Sequence, residues 1–304
     1  MRKRNRFSLT LPLLFAGIAL FGSPTSAEAG KLETLVPAYF YPGTGGAGGV
    51  GDGWAQMATA AQQIGVTAIL NPNSGPLPGP ADLNYVNAMT NLELAGGKVV
   101  AYVSTKYTVN SLATAEGNIS TYITQYGGLI NGFFVDEMTN TNAASNLTYY
   151  HTLYAFIKGL NPSFRVFGNP GTSTVPEYLA PATQGADTLV TYENQASLYA
   201  GFPPPTWVNG FTPDHFANIL FNESSAAGMM ADLNLAALRN VNYVYVTERT
   251  LPNPYSQLPS YWNQEVAAIQ SAAVPEPTTM TMLATGGLLL AVAVRMRSGN
   301  QAHI

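Results

Sequence analysis

The chain has 304 residues, with 13 basic and 17 acidic side chains and a formal net charge of −4. It has no cysteine, which excludes a disulfide framework and a thiolate metal site. Between the two end segments described below, seven basic side chains remain against fifteen acidic ones. This balance argues against a nucleic-acid partner, because such proteins carry a basic stripe.

The first 29 residues have the layout of a secretory signal peptide. Four basic residues stand within the first six positions, residues 9–21 are apolar, and Ala27-Glu28-Ala29 is a small-x-small cleavage pattern. We therefore expect an exported protein whose function operates outside the cytoplasm.

Residues 30–273 carry eight short apolar runs, and a helical pattern follows most of them. Several runs are apolar throughout, which is typical of strands buried on both faces of a parallel sheet. The predicted strands are Leu35–Tyr41, Val66–Asn71, Lys98–Ser104, Ile130–Asp136, Arg165–Asn169, Thr188–Glu193, Phe216–Phe221 and Asn242–Thr247. The predicted helices are Trp54–Ile64, Leu83–Ala95, Ser111–Tyr126, Ser145–Gly159, Ser224–Arg239 and Pro259–Ser271, and the fifth and sixth connections look short. This alternation predicts an α/β fold, a single (β/α)₈ barrel of the TIM type.

Acidic residues end several of the predicted strands. Asp136 and Glu137 follow the fourth strand and Glu193 ends the sixth. The active site of such a barrel lies at the C-terminal ends of its strands, so these acids are predicted to share one mouth. Two carboxylates across a sugar are the minimum machinery for glycosidic cleavage. Glu223 and Glu248 are weaker candidates, since Glu223 opens a predicted helix and Glu248 adjoins an arginine.

Aromatic and amide side chains at the same strand ends could hold sugars. The predicted substrate-binding residues are Tyr39, Asn71, Tyr107, Asn169 and Tyr192. The alternative for each acid is a helix cap or an ion-pair partner, and the alternative for each tyrosine is a place in the core. For Asp136 and Glu137, both side chains reach one cavity only if the strand ends or bulges there, because adjacent strand residues face opposite sides.

Other chemistries find little support in the sequence. The glycine-rich segment 43–53 contains a G-x-G-x-x-G pattern, but the second strand ends without the acid that would hold a ribose, so a flexible loop at the barrel mouth is expected instead. His151, His215 and His303 stand apart from one another, and no Gly-x-Ser-x-Gly elbow occurs. We therefore predict no metal and no cofactor.

The last residues, 274–304, form a second predicted targeting segment. Val274-Pro275-Glu276-Pro277 precedes an apolar run of about 15 residues, which is short for a membrane span, and then a basic tail. This arrangement resembles the PEP-CTERM sorting signal of Gram-negative bacteria, whereas the alternative is a simple tail anchor. The resemblance implies recognition and removal by an exosortase, transient membrane association, and a place in the cell envelope or outside it, often with exopolysaccharide production.

Five segments within residues 35–269 stand in the order and spacing of a known protein family: Val36–Pro42, Trp54, Ile69–Pro76, Val100–Tyr107 and Ile130–Glu137. Through these segments the chain resembles the spherulation-specific family 4, or spherulin-4, proteins. Departures are Val135 where the family usually has Phe, and Thr108 and Asn110 where it tends to have a glycine and a basic residue.

The resemblance implies a (β/α)₈ glycoside hydrolase that cleaves α-1,4-linked polysaccharide containing galactosamine or N-acetylgalactosamine. The family's acids would match Asp136, Glu137 and Glu193. A polysaccharide substrate cleaved by paired carboxylates is therefore expected. The alternatives are a non-catalytic polysaccharide-binding matrix or surface protein and, with less support, a deacetylase, which would need a metal.

Overall fold

Eight parallel strands close into a barrel in chain order in the computed structural model, which describes residues 31–272. The strands are β1 Glu33–Ala38, β2 Val66–Leu70, β3 Lys98–Ser104, β4 Gly132–Asp136, β5 Arg165–Gly168, β6 Thr188–Gln195, β7 Phe216–Phe221 and β8 Tyr243–Val246. Each strand pairs with the next, and β8 pairs with β1. The predicted barrel is therefore confirmed. The first strand ends three residues earlier than predicted, which leaves Tyr39 and Tyr41 in the loop after β1.

Helices surround the strands but do not follow every one of them. The α-helices of the described residues are α1 Gly53–Ala61, α2 Leu83–Leu94, α3 Leu112–Tyr126, α4 Ala144–Leu160, α5 Ala196–Tyr199, α6 Ala226–Leu238 and α7 Trp262–Ser271. Between β5 and β6 the chain forms a single 3₁₀ turn, Pro176–Tyr178, and α5 spans one turn only. Prolines at positions 176, 181 and 203–205 explain this thin helical layer, because proline lacks the N–H that a helix interior requires.

A break in the pairing register of β6 decides which of its residues face the barrel interior. The register with β7 shifts between Val190 and Tyr192. Side chains alternate sides along a strand, so an extra residue exchanges the two faces beyond it. As a result, Glu193 faces the interior and Tyr192 faces the surrounding helices.

The barrel closes over a short seam. β1 and β8 pair only at Glu33 and Thr34, opposite Tyr243 and Val244. Further along β8, the Val246 N–H donates instead to Glu265 Oε1 of α7, at 2.9 Å. The Glu265 carboxyl therefore satisfies a backbone donor that the neighbouring strand leaves open, and its 0% exposure shows that it does so away from water.

The two predicted targeting segments, residues 1–29 and 274–304, lie outside the described residues. Within residues 31–272, no helix combines the length and apolar character needed to cross a membrane.

Candidate active site

A cavity of about 620 Å³ opens at the C-terminal end of the barrel. The loops after β1, β2 and β8 supply much of its wall, and Asp136 of β4 and Glu193 of β6 lie at its edge. A second cavity of about 630 Å³ opens at the opposite end, around Thr67, Arg165 and Tyr243, and no carboxylate lines it. The cavity at the C-terminal end is therefore the candidate active site, as the fold predicts.

One amide joins the two acids. Asn169 Nδ2, in the loop after β5, donates to Asp136 Oδ1 and to Glu193 Oε2, each at 2.6 Å. The two carboxylate oxygens can therefore lie no further apart than twice that distance. Asn169 is only 5% exposed, so it reaches both acids from behind the cavity wall. This arrangement holds two acids from non-adjacent strands at a fixed, short separation.

Two tyrosines hold the other sides of the carboxylates. The Tyr102 hydroxyl donates to Asp136 Oδ2 at 2.7 Å, and the Tyr255 hydroxyl donates to Glu193 Oε1 at 2.6 Å. Burial raises the pKa of both tyrosines well above the usual value for this side chain, and the nearby carboxylates raise it further. Both hydroxyls therefore stay protonated and act as donors. Tyr39 lies between them, with its ring edge-to-face to each.

Both acids are harder to ionise than an ordinary carboxyl. Burial raises the pKa of Glu193, and the charge of Asp136 raises it further. Burial also raises the pKa of Asp136, against hydrogen bonds from Tyr102, the Glu137 backbone and Asn169 that lower it. Glu193 receives two such bonds, from Tyr255 and Asn169. Asp136 thus receives one more hydrogen-bond donor than Glu193, while the charge of the neighbouring Glu137 raises its pKa.

Glu137 occupies a different place from Asp136. It lies outside the cavity wall and accepts a hydrogen bond from the Ser104 hydroxyl of β3. Its backbone is left-handed, with φ of 52°, which is uncommon for a residue other than glycine. The chain therefore turns sharply after Asp136, and the two adjacent acids reach different neighbours.

The loop after β3 contains three consecutive left-handed residues. Lys106, Tyr107 and Thr108 have φ values of 45°, 56° and 73°. Each costs roughly 1–2 kcal/mol relative to a right-handed conformation. Hydrogen bonds hold the turn, since the Tyr107 N–H donates to the Glu137 carbonyl at 2.8 Å and Thr105 Oγ1 donates to the same oxygen at 2.9 Å. The strained turn is thus attached directly to the residue after Asp136.

The predicted substrate-binding residues separate into three groups. Tyr39 and Asn71 line the cavity. Asn169 lies behind the acids and Tyr107 lies on the rim outside the cavity wall. Tyr192, only 3% exposed, packs on Tyr199 and Phe202 and donates its hydroxyl to the Gln195 carbonyl. Its predicted place at the mouth is wrong, because the register shift in β6 turns it toward the helices.

The predicted substrate-binding residues include neither Tyr102 nor Tyr255. Tyr102 stands two residues before Ser104 on β3, so strand periodicity would have placed both on the inner face. Tyr255 lies in the loop after β8, which crosses the mouth to reach Glu193. No local pattern marks that contact, since the two residues stand 62 positions apart.

The weaker acidic candidates have structural roles. Glu223 Oε1 accepts the Ser225 N–H at 3.0 Å, at the start of α6, and Glu248 Oε1 accepts the Ser260 N–H at 3.0 Å. The glycine-rich segment 43–53 is joined to the loop before α7 by backbone hydrogen bonds between Gly45 or Gly48 and Leu258. Within residues 31–272, no three His, Cys, Asp or Glu side chains are grouped as a metal site would require.

Comparison with known proteins identifies the family of the chain. The sequence profile of Spherulation-specific family 4 matches residues 33–269. The chain belongs to this family. Spherulin-4 of Physarum polycephalum is 32% identical over 257 residues, which cover 81% of this chain and 73% of that protein. The structure of Aspergillus clavatus Sph3 in complex with GalNAc has a similar fold, with a TM-score of 0.65 and 22% identity, over 80% of this chain and 98% of that one.

The spherulin-4 motifs of the sequence converge on this site. The first motif supplies Tyr39, the Ile69–Pro76 motif supplies Asn71, and the Val100–Tyr107 motif supplies Tyr102. The Ile130–Glu137 motif supplies Asp136. Four segments that are distant in the chain thus meet around one cavity.

Proposed function

We propose that this spherulin-4 protein is a glycoside hydrolase that cleaves a polysaccharide containing N-acetylgalactosamine. The observation that carries the proposal is the pairing of Asp136 and Glu193 through Asn169 at the edge of an open cavity. Glycosidic cleavage needs two carboxyl groups, one with a raised pKa that acts as the acid and one that attacks as the anion. The GalNAc bound to the similarly folded Sph3 supports the choice of sugar.

The two acids have different proposed roles. Glu193 is the general acid, because burial and the charge of Asp136 favour its protonated form. Asp136 is the nucleophile, because three hydrogen-bond donors stabilise its charged form. Carboxyl groups about 5–5.5 Å apart operate by double displacement, whereas inverting enzymes keep them about 6.5–9.5 Å apart to admit a water. The Asn169 bridge holds the nearest oxygens within the shorter spacing.

The proposed reaction has two steps. Glu193 donates its proton to the glycosidic oxygen while Asp136 attacks the anomeric carbon, so the bond to the leaving sugar breaks and a glycosyl ester forms. The ionised Glu193 then removes a proton from water, whose oxygen attacks the same carbon and releases Asp136 as a carboxylate. Tyr102 and Tyr255 hold the two carboxylates throughout.

The purified protein is expected to release reducing ends from oligosaccharides of α-1,4-linked N-acetylgalactosamine, with the α-anomer formed first. Proton NMR during the first minutes of the reaction measures both the hydrolysis and the anomer. An initial β-anomer would contradict the double displacement. Binding of the polymer without any release of reducing ends would instead support the alternative, a polysaccharide-binding matrix or surface protein.

Replacing Tyr255 by Phe is expected to move the alkaline limb of the kcat/KM profile to higher pH. The Tyr255 hydrogen bond lowers the pKa of Glu193, so its loss raises that pKa and keeps the acid protonated further into the alkaline range. The profile of kcat/KM against pH measures the change, because it reports the free enzyme. Tyr41→Phe is the matched control, since the Tyr41 hydroxyl bonds Asp82 outside the cavity wall. An alkaline limb that stays in place or moves to lower pH would contradict the role given to Glu193.

The proposed place of action is the cell envelope or extracellular matrix of a Gram-negative bacterium. The signal-peptide pattern of residues 1–29 supports export. The pattern of residues 274–304, which resembles PEP-CTERM, supports processing by an exosortase after transient membrane association.

A further inference from the structure

A glycosidic bond joins two sugars, so its cleavage needs a binding surface on each side of the catalytic pair. The cavity supplies one side, since its wall comes largely from the loops after β1, β2 and β8. The loops after β3 and β4, including Glu137 and Tyr107, lie outside that wall. The β3–β4 side of Asp136 is therefore a candidate position for the second surface.

Tyr107 is the most exposed large aromatic side chain on that side. It is 60% exposed, against 44% for Tyr41, the other exposed aromatic among the large apolar side chains of residues 31–272. The Tyr41 hydroxyl is bound to Asp82 and Asn84. No hydrogen bond of the Tyr107 hydroxyl is found among the described residues, so the described fold leaves this hydroxyl available to a ligand.

The backbone nevertheless holds Tyr107 firmly in an unfavourable conformation. Its N–H bonds the Glu137 carbonyl, and the Asn110 side chain donates to the Ser104 carbonyl at 2.9 Å, which closes the turn from the other end. Glycine or asparagine would adopt this turn more easily. Backbone strain of this kind clusters at functional sites, and this turn is hydrogen bonded to Glu137, the residue after Asp136.

We propose that Tyr107 forms a second sugar subsite, on the side of Asp136 opposite the cavity, where the ring stacks on the apolar face of a pyranose. The proposal rests on the proposed function for the position of the scissile bond. The strained turn then serves to keep the ring beside Asp136. The subsite recognises a polymer and contributes nothing to a single sugar held in the cavity.

The test measures binding in the Glu193→Gln background, so that no substrate is consumed. Tyr107→Asn removes the ring but suits the left-handed backbone, while Tyr107→Phe keeps the ring. Lys106→Asn is the matched control, because it makes the same backbone change one residue earlier in the turn. Calorimetric titration compares N-acetylgalactosamine with an α-1,4-linked hexasaccharide, and thermal unfolding of each variant reports the strain.

Tyr107→Asn is expected to bind the hexasaccharide about tenfold more weakly, which corresponds to about 1.4 kcal/mol. Its affinity for the monosaccharide should be unchanged and its Tm unchanged or higher. Tyr107→Phe and Lys106→Asn should bind both ligands like the parent. Equal hexasaccharide affinity in Tyr107→Asn and the parent would overturn the subsite, as would an equal loss in Lys106→Asn or no binding by any of the proteins.

Failure of the catalytic proposal gives a different result. A protein with an intact Glu193 that hydrolyses nothing, but whose hexasaccharide binding depends on the Tyr107 ring, would overturn the enzyme and retain the subsite. Hydrolysis by a protein whose hexasaccharide affinity does not depend on the Tyr107 ring would retain the enzyme and overturn the subsite.

Discussion

Glu193→Gln and Asp136→Asn are each expected to lower kcat on an N-acetylgalactosamine oligosaccharide by about 10³-fold or more. The first variant removes the proton that the leaving oxygen takes up. The second removes the carboxylate that attacks the anomeric carbon. Neither amide can exchange a proton or form the ester, although both keep the shape of the side chain they replace. Initial rates of reducing-end release, compared at saturating substrate, measure the loss.

The same substitutions are expected to leave the free energy of unfolding unchanged or to raise it at neutral pH. Burial raises the pKa of both acids, so each costs folding free energy when it is charged. Urea unfolding measures this property separately from catalysis. Lower activity that accompanied a lower unfolding free energy would point to misfolding instead of lost chemistry.

The matched controls are the other acids at the barrel mouth. Glu223→Gln should keep full activity, because Glu223 Oε1 accepts hydrogen bonds from Ser225, the residue that caps α6. Glu137→Gln should show a smaller loss than either catalytic variant, since the Glu137 side chain bonds Ser104 and acts on Asp136 only through its charge, whereas the backbone bond to Asp136 remains in the variant. Retention of full activity in Glu193→Gln would contradict the assignment of the general acid.

The sequence predicts the acids of the site because strand ends carry positional information. Parallel strands in a barrel end at one rim, so an acid after an apolar run is brought to the mouth whichever strand carries it. Asp136 and Glu193 met this condition, and both line the cavity. Tyr39 and Asn71 were found by the same reasoning, although Tyr39 lies just beyond its strand.

The sequence could not predict which neighbour of a strand end faces inward. Tyr192 and Glu193 are adjacent, and only the register shift in β6 decides between them. That shift depends on pairing with β7, which is a contact distant in the chain. The same limit applies to Tyr255, which reaches Glu193 from a loop after the last strand. The local periodicity of the sequence predicts neither the β6–β7 register nor the contact of Tyr255 with Glu193.

The sequence also could not predict the position of Glu265, an acid that lies away from the barrel mouth. It lies in the middle of a helical pattern, where an acid normally faces solvent. In the structure it enters the seam between β1 and β8 and accepts the Val246 N–H. Burial raises its pKa to about 8, with a further increase from the charge of Glu248 and an opposing effect of the Val246 hydrogen bond. A buried acid of this kind makes folding depend on pH.

Replacing Glu265 by Gln is expected to remove a large part of the pH dependence of stability between about pH 4.5 and 8. The unfolded side chain ionises near its ordinary pKa of 4.5, whereas the folded one holds its proton up to a pKa of about 8. Between these values folding takes up a proton, so the contribution of Glu265 to stability is lost as the pH rises. The difference between the two pKa values corresponds to roughly 5 kcal/mol, at about 1.4 kcal/mol for each tenfold change in proton affinity.

Urea unfolding of both proteins at pH 5, 7 and 9 measures this effect. The unfolding free energy of Glu265→Gln minus that of the parent should grow with pH and level off above pH 8. Other buried acids with a raised pKa, such as Asp232, lower the stability of both proteins alike and cancel in the difference. Parallel curves for the two proteins would contradict the prediction.

Glu265→Leu separates the hydrogen bond from the charge. Leucine cannot accept the Val246 N–H, so this variant should lose about 1–3 kcal/mol at pH 5, where glutamine loses little. At pH 9 the parent carries a buried charge in the seam, and the gap between the parent and the leucine variant should narrow or reverse. Glu265 is therefore expected to stabilise the fold more when it is neutral than when it carries a buried charge.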